Sequence, residues 1–272
     1  MPELPEVETI KRGLADSMIG RTILSVKIRQ YKLRWPIDPH LEHKITGEKV
    51  IAIRRRGKYL VTDLKKGHLI IHLGMSGTLR VFDDSTAIGK HDHLDIHLDS
   101  RKIIRFCDPR RFGAILFTVE PAEFHPLLAH LGIEPLQPDF NGETLFSITK
   151  TKKTSIKQLL MNSHLIAGIG NIYANEALFY AGIHPAAISA SLDQKRCSSL
   201  ADSISATLMK AINLGGSSLR DFVSSDGKKG YFQQEYQVYG RNKQLCHTCK
   251  TSIIMIRQNG RSSFFCPRCQ PF

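Results

Sequence analysis

His93-Leu94-Asp95-Ile96-His97-Leu98 alternates polar and apolar side chains at every step. Successive side chains of an extended strand point to opposite faces. The run therefore reads as a strand with Leu94, Ile96 and Leu98 on a core face and His93, Asp95 and His97 on the other. The same period extends outward in both directions. Over 22–29, Leu24, Val26 and Ile28 alternate with Ser25, Lys27 and Arg29. Further strands are predicted at 50–54, 58–64, 68–73, 78–82, 102–106 and 112–118. Gly57, Gly67, Gly74, Gly77 and the Asp83-Asp84 pair punctuate them. Many short alternating strands indicate a sandwich or barrel of mostly antiparallel strands. One helix leads this β-rich part. Val7, Ile10, Leu14 and Met18 recur on one face of residues 5–18, and Gly20 ends the pattern.

The period changes after residue 120. Pro121, Pro126, Pro135 and Pro138 mark a linker zone. Beyond it the pattern is helical, at 143–149, 154–162, 172–181 and 193–214. Leu200, Ile204, Leu208, Ala211 and Ile212 share a face of the last, and Gly215-Gly216 stops it. Residues 217–235 are polar and glycine-containing, which predicts a mobile loop. The predicted fold class is a multidomain α+β protein: an N-terminal β-sandwich over 1–120, a linker over 121–135, a helical domain over 136–235, and strands around a cysteine cluster over 236–272.

A chain of 272 residues suggests about two domains, and 42% hydrophobic residues exclude disorder. No apolar run approaches the ~20 residues of a membrane span. The acidic, proline-containing start is not a signal peptide, so a cytosolic protein is expected. Lys and Arg total 38 against 25 Asp and Glu, a net charge of +13. That excess points to a polyanionic partner, nucleic acid before a membrane surface, because the sequence has no basic amphipathic helix.

Four of the six cysteines fall in the pattern Cys246-His-Thr-Cys249 and Cys266-Pro-Arg-Cys269. Two C-x-x-C turns at this spacing bring four thiolates to the corners of a tetrahedron, the geometry of a closed structural Zn²⁺ site. Asn259-Gly260 between them signals a hairpin turn. The tail from Arg241 to Phe272 holds no acid, and Arg261 stands beside that turn, placed to meet phosphate.

Four further features carry chemistry. Met1-Pro2-Glu3 opens the chain; trimming of Met1 would leave a secondary amine at Pro2, only weakly basic and thus nucleophilic. Glu3 beside it is suited to proton transfer. The alternative is that Pro2, Pro5, Glu6 and Glu8 only start a helix. Around Ala167-Gly-Ile-Gly-Asn171, glycine turns separate two helices, with Asn171 at the expected N-cap; the arrangement resembles a helix–two-turns–helix element. Finally, Arg54-Arg55-Arg56-Gly57-Lys58 offers a cation after a glycine. The loops His72–Gly77 and Asp108–Gly113 offer Met75, Arg110 and Phe112 as a wedge for a base stack, the alternative being a Met and a Phe that belong to the core.

Taken in order, these motifs closely resemble bacterial formamidopyrimidine-DNA glycosylases. The resemblance runs through Pro2-Glu-Leu-Pro-Glu-Val-Glu-Thr9, Arg56-Gly-Lys-Tyr59, His72-Leu-Gly-Met-Ser-Gly77 and Asp108-Pro-Arg-Arg-Phe-Gly113. It continues with Ala167-Gly-Ile-Gly-Asn-Ile-Tyr173, Gln237-Val-Tyr-Gly240 and the four-cysteine finger. It implies a bifunctional glycosylase and lyase that excises oxidised purines from double-stranded DNA. One structural Zn²⁺ is implied, with no redox or organic cofactor, in a monomer of the bacterial cytoplasm. Pro2 would attack C1′ of the damaged nucleotide and Glu3 would move protons at the sugar. Lys58 would contact phosphate and assist. His72, Asn171 and Arg261 would clamp phosphates, and His91 and Lys157 would meet DNA. Met75, Arg110 and Phe112 would fill the gap left by the flipped base, with Arg110 reading the orphaned cytosine. Lys157 and Glu176 would support the helical pair, and the 217–235 loop would cover the extruded base. Two rivals remain: the endonuclease VIII-like branch for oxidised pyrimidines, against which Leu4 and the Arg110/Phe112 pair argue, and a non-catalytic zinc-ribbon DNA-binding protein.

Overall fold

The structure, a computed structural model, describes residues 1–217 and 232–272. The chain divides into two compact units, Met1–His130 with Leu214–Tyr231, and Leu131–Asn213 with Phe232–Phe272.

In the first unit, α1 (Leu4–Met18) precedes β1 (Ile23–Ile28), α2 (Leu41–Ile45), β2 (Val50–Arg56), β3 (Tyr59–Leu64), β4 (Gly67–His72), β5 (Thr78–Asp83), β6 (Asp92–Leu98), β7 (Lys102–Cys107) and β8 (Ala114–Thr118). The strands form two four-stranded sheets, β1-β6-β7-β5 and β2-β3-β4-β8, antiparallel throughout. All eight predicted strands of this unit are present. The core draws Val7, Ile10, Leu14 and Met18 from α1 and apolar residues from both sheets. α1 lies against β2, β3 and β5.

β1 and β6 are among the strands that depart from simple alternation. In β1 it is Ile23 and Val26 that are buried, while Leu24 is 57% exposed. The register shifts between Ile23 and Ser25, so a bulge turns Leu24 outward. In β6 the polar face is buried as well: His93 is 3% and Asp95 2% exposed. Asp95 takes two guanidinium groups, from Arg105 at 2.8 and 2.9 Å and from Arg29 at 2.7 and 3.0 Å. Such paired, hydrogen-bonded charge is what allows a carboxylate below a sheet surface.

The second unit begins with Leu131. It contains α4 (Gly142–Thr149), α5 (Ile156–Leu160), α6 (Asn171–Tyr180), α7 (Gln194–Asn213), β9 (Ile254–Gln258) and β10 (Arg261–Phe265); the short α3 (Pro126–Ala129) closes the first unit within the predicted linker. α4 and α6 both pack on α7. α6 is buried from Ile172 to Phe179 on every side, including Asn175 and Glu176. β9 and β10 pair as the predicted hairpin, and Asn259 and Gly260 both take positive φ, +47° and +75°, as a two-residue hairpin turn requires. Most of the predicted 217–235 loop lies outside the described residues. Its last part, Phe232–Glu235, is a 3-10 turn with Phe232 buried against Tyr173 and Tyr236. No described helix is long and apolar enough to cross a membrane.

Candidate functional site

The β2-β3-β4-β8 sheet assembles the first unit's candidates along one edge. Tyr59 pairs with His72, and His72 pairs with Ala114. This register places the 56–59 turn, the loop after His72 and the loop before β8 side by side. Gly57 takes φ +55° in the turn that carries Lys58. α1 reaches the same turn. Glu8 accepts hydrogen bonds from Arg12 and Arg55, both at 3.1 Å, and Arg55 donates to the Gly57 carbonyl at 3.0 Å.

The chain's first residues serve as a helix start and are held unusually firmly. Pro5 occupies the first turn of α1 and Glu3 its N-cap. Glu3 and Glu6 form a reciprocal capping box, with the Glu3 N–H donating to Glu6 Oε2 at 2.8 Å. The other Glu6 oxygen accepts from the Ser217 N–H and hydroxyl, both at 2.8 Å. Pro2 thus sits one residue ahead of a fixed, buried N-cap. The helix-start reading describes Glu6, which lies in the first turn, whereas Glu8 lies beyond it and pairs with Arg12 and Arg55.

His72 is largely buried beside Tyr59, with ring centroids 4.7 Å apart. Burial first, then the charges of Lys58 and Arg34, push its pKa down to about 4. The Gly74 N–H donates to Nδ1 at 3.2 Å, so the neutral ring carries its proton on Nε2 as a donor. The folded value lies below the ordinary unfolded one of about 6.5. The group therefore costs no stability above that pH. As the pH falls from about 6.5 toward about 4, the unfolded chain binds a proton that the folded chain refuses, and up to about 3 kcal/mol of stability is lost. A His72→Asn variant is expected to lose less stability than the parent between pH 7 and 4.5, measured by denaturant unfolding. Equal losses would show that the titration lies elsewhere.

Met75 and Phe112 are 39% and 40% exposed, and the Arg110 guanidinium stacks 5.0 Å from the Phe112 ring centre. Three large side chains therefore project from two adjoining loops, as a wedge requires. His91 is half-buried, its carbonyl accepts the Asp108 N–H at 3.0 Å, and its ring lies 6.4 Å from that of His93. Arg34, which no sequence motif singles out, joins this group. Its N–H donates to the Arg111 carbonyl at 2.8 Å and its charge acts on both His72 and Tyr59. The basic-aromatic string Tyr31-Lys-Leu-Arg34-Trp35 was the available signal. Cys107 stays a protonated thiol, pushed up to about 11 by burial first and then by Asp92.

In the second unit the helix–two-turns–helix element is α5, the Gly168 turn at φ +88°, and α6. Asn171 is not the N-cap. Gly170 is, with extended backbone, and Asn171 is the first helical residue. The glycine moves the chain into the helix one residue earlier than the Asn signal suggests, and α6 has no side-chain cap. The Asn171 carbonyl instead accepts from Asn175 Nδ2 at 2.5 Å, and Asn175 Oδ1 accepts the Phe264 N–H of β10 at 2.7 Å.

Lys157, given both as a DNA contact and as a support of the helical pair, lies inside the unit. It is 2% exposed, and its Nζ donates to the Ser262 carbonyl and to Ser263 Oγ, both at 2.7 Å. An ammonium so buried braces the strand that begins at exposed Arg261. Together with Asn175, it fixes β10 to the two helices. Glu176 is wholly buried, and its carboxylate accepts the N–H groups of Gln237, Val238 and Tyr239 at 2.8, 3.0 and 2.8 Å. It holds the Gln237–Gly240 turn, a task invisible in sequence.

The sulfurs of Cys246, Cys249, Cys266 and Cys269 all lie within 4.8 Å of one another, including 3.3 Å for Cys249–Cys266 and 3.9 Å for Cys246–Cys269. A tetrahedral ion with bonds of about 2.3 Å needs sulfurs about 3.8 Å apart. The four ligands fit zinc and fill its coordination sphere.

Residues 1–115 match the family model for the formamidopyrimidine-DNA glycosylase N-terminal domain, 131–223 that for the formamidopyrimidine-DNA glycosylase H2TH domain, and 243–271 a zinc finger found in FPG and IleRS. The chain is 48% identical over 270 residues to the formamidopyrimidine-DNA glycosylase of Thioalkalivibrio sulfidiphilus, covering 99% of this chain and 100% of that one. An Escherichia coli protein of the same name shows the same identity and coverage. The solved complex between wild-type Lactococcus lactis Fpg (MutM) and DNA containing N7-benzyl-Fapy-dG superposes with a TM-score of 0.92 at 35% identity, covering all of both chains.

Proposed function

This chain belongs to the formamidopyrimidine-DNA glycosylase family, and from that premise we propose that it excises oxidised purines, 8-oxoguanine and formamidopyrimidines, from double-stranded DNA and then cleaves the abasic strand. The observation that carries the reading is the Pro2-Glu3 terminus on a fixed N-cap, in a first unit whose α1 is braced to the Lys58 turn.

A damaged base is out of reach within the stack, so the nucleotide must be turned out. Met75, Arg110 and Phe112 occupy the space it leaves. Lys58, His72, Asn171 and Arg261 hold the backbone phosphates, with His72 donating from Nε2 as a neutral ring. Removal of Met1 turns the Pro2 nitrogen from an amide into a secondary amine. That nitrogen bonds to C1′ as the bond from C1′ to the base breaks and the electron pair leaves with the base, which is protonated. Glu3 delivers a proton to the ring oxygen as the sugar opens to an iminium. The iminium acidifies the proton at C2′, whose loss expels the 3′ phosphate. A second elimination expels the 5′ phosphate, and water releases Pro2 as the free amine. The result is a one-nucleotide gap. One structural zinc holds the hairpin that presents Arg261. The reducing cytoplasm of a bacterium suits six cysteines that are all free of disulfides.

The reading is tested by comparing kcat/KM on otherwise identical duplexes carrying 8-oxoguanine opposite cytosine or an oxidised pyrimidine. The purine lesion is expected to be preferred. Preference for the pyrimidine would move the chain to the endonuclease VIII-like branch.

A further inference from the structure

The wedge residues come from two loops separated by more than thirty positions, yet one buried side chain joins them. Ser76 is 4% exposed and Asp108 is wholly buried. The Ser76 hydroxyl donates to Asp108 Oδ1 at 2.8 Å and accepts the Arg110 N–H at 3.2 Å, an N–H that also reaches Asp108 Oδ1 itself at 3.3 Å. Asp108 Oδ2 takes the Gly113 N–H at 2.8 Å, and its carbonyl meets His93 Nε2 at 2.7 Å. Arg111 between them takes φ +57°, a conformation that side-chain-bearing residues adopt only when their surroundings impose it. The loops also touch through backbone: a Cβ on Gly74 would stand 2.5 Å from the Phe112 carbonyl carbon.

We propose that Ser76 is a positioning residue for opposite-base specificity: by bonding both Asp108 and the Arg110 N–H, its hydroxyl ties the Met75 loop to the Arg110 loop and fixes where the Arg110 guanidinium meets the base left behind. This rests on the reading of Arg110 as the residue that faces that base. A guanidinium on a loose loop would still bind an orphaned base. It would discriminate poorly, because hydrogen-bond readout of one base edge against another depends on fixed placement. Met75 precedes Ser76 directly, so the same bond sets its place relative to Arg110.

The test measures single-turnover excision of 8-oxoguanine opposite cytosine and opposite adenine, with the full-length zinc-loaded protein. Taking the ratio of the two rates from one preparation cancels any loss of folded enzyme. Ser76→Ala removes one donor and one acceptor, and the cytosine:adenine ratio is expected to fall about fivefold to tenfold. Arg110→Ala, run in parallel, is expected to lower it at least as far. If Arg110→Ala lowers the ratio and Ser76→Ala leaves it at the parent value, the proposal is overturned and the reading of Arg110 stands. If Arg110→Ala also leaves it unchanged, that reading falls and the proposal with it. Should Ser76→Ala not fold, Asp108→Asn attacks the same junction and carries the test on the same ratio.

Discussion

Protein that retains Met1, or whose Pro2 nitrogen is acetylated, is expected to lose strand cleavage by roughly three orders of magnitude or more while still binding lesion-containing DNA. The reason is electronic. In either case the nitrogen becomes an amide, whose lone pair is delocalised into the carbonyl, and no iminium can form from it. Binding should persist because the proposed phosphate contacts and wedge do not include that nitrogen, and the N-cap at Glu3 is fixed by its capping box and by Ser217 through Glu6. Single-turnover cleavage of a duplex with 8-oxoguanine opposite cytosine, beside the N-terminal mass of the same sample, checks this. Undiminished cleavage by uniformly blocked protein would remove Pro2 from the chemistry.

Loss of the metal is expected to abolish DNA binding while leaving the first unit folded. A two-stranded hairpin is marginal by itself in water. The apolar support here is small: Phe179, Val238 and Ile253 pack with the cysteines. A structural zinc in such a module contributes on the order of 10–16 kcal/mol to its folding. Without it β10 would lose its shape, and with it the bonds to Lys157 and Asn175 and the placement of Arg261. The first unit has its own core and uses no cysteine of the cluster. Cys266→Ser, or chelation of the parent protein, should therefore erase binding in fluorescence anisotropy and leave the thermal transition of the β-sandwich in place. Binding equal to that of the zinc-loaded protein would show that the hairpin is dispensable.

What could be read from the sequence was whatever depends on local pattern. The eight sandwich strands follow from period-two alternation, α1 from the spacing of Val7, Ile10, Leu14 and Met18, the hairpin turn from Asn259-Gly260, and the zinc ligands from cysteine spacing. What could not be read depends on partners distant in sequence. Asp95 reads as a solvent-facing strand residue until Arg29 and Arg105 are seen to enclose it. Leu24 reads as core because a bulge leaves no mark on alternation. Asn171 has the right chemistry for a cap, but Gly170 reaches the required backbone first. Lys157 comes only from the resemblance, and nothing near it in sequence tells that its ammonium is buried against Ser262 and Ser263, more than a hundred residues away. The roles carried by the resemblance share this limit. They name the residues that would touch DNA, and pass over Ser76, Asp108 and Asn175, which hold those residues in place.

The most direct test of the central claim is borohydride reduction of the protein on a duplex carrying 8-oxoguanine opposite cytosine, with the site of attachment mapped by peptide mass. The expected result is a covalent protein–DNA adduct at Pro2, on chains that lack Met1. Correctly processed protein that binds the duplex tightly and yields no adduct would contradict the iminium mechanism, and would favour a non-catalytic DNA-binding protein.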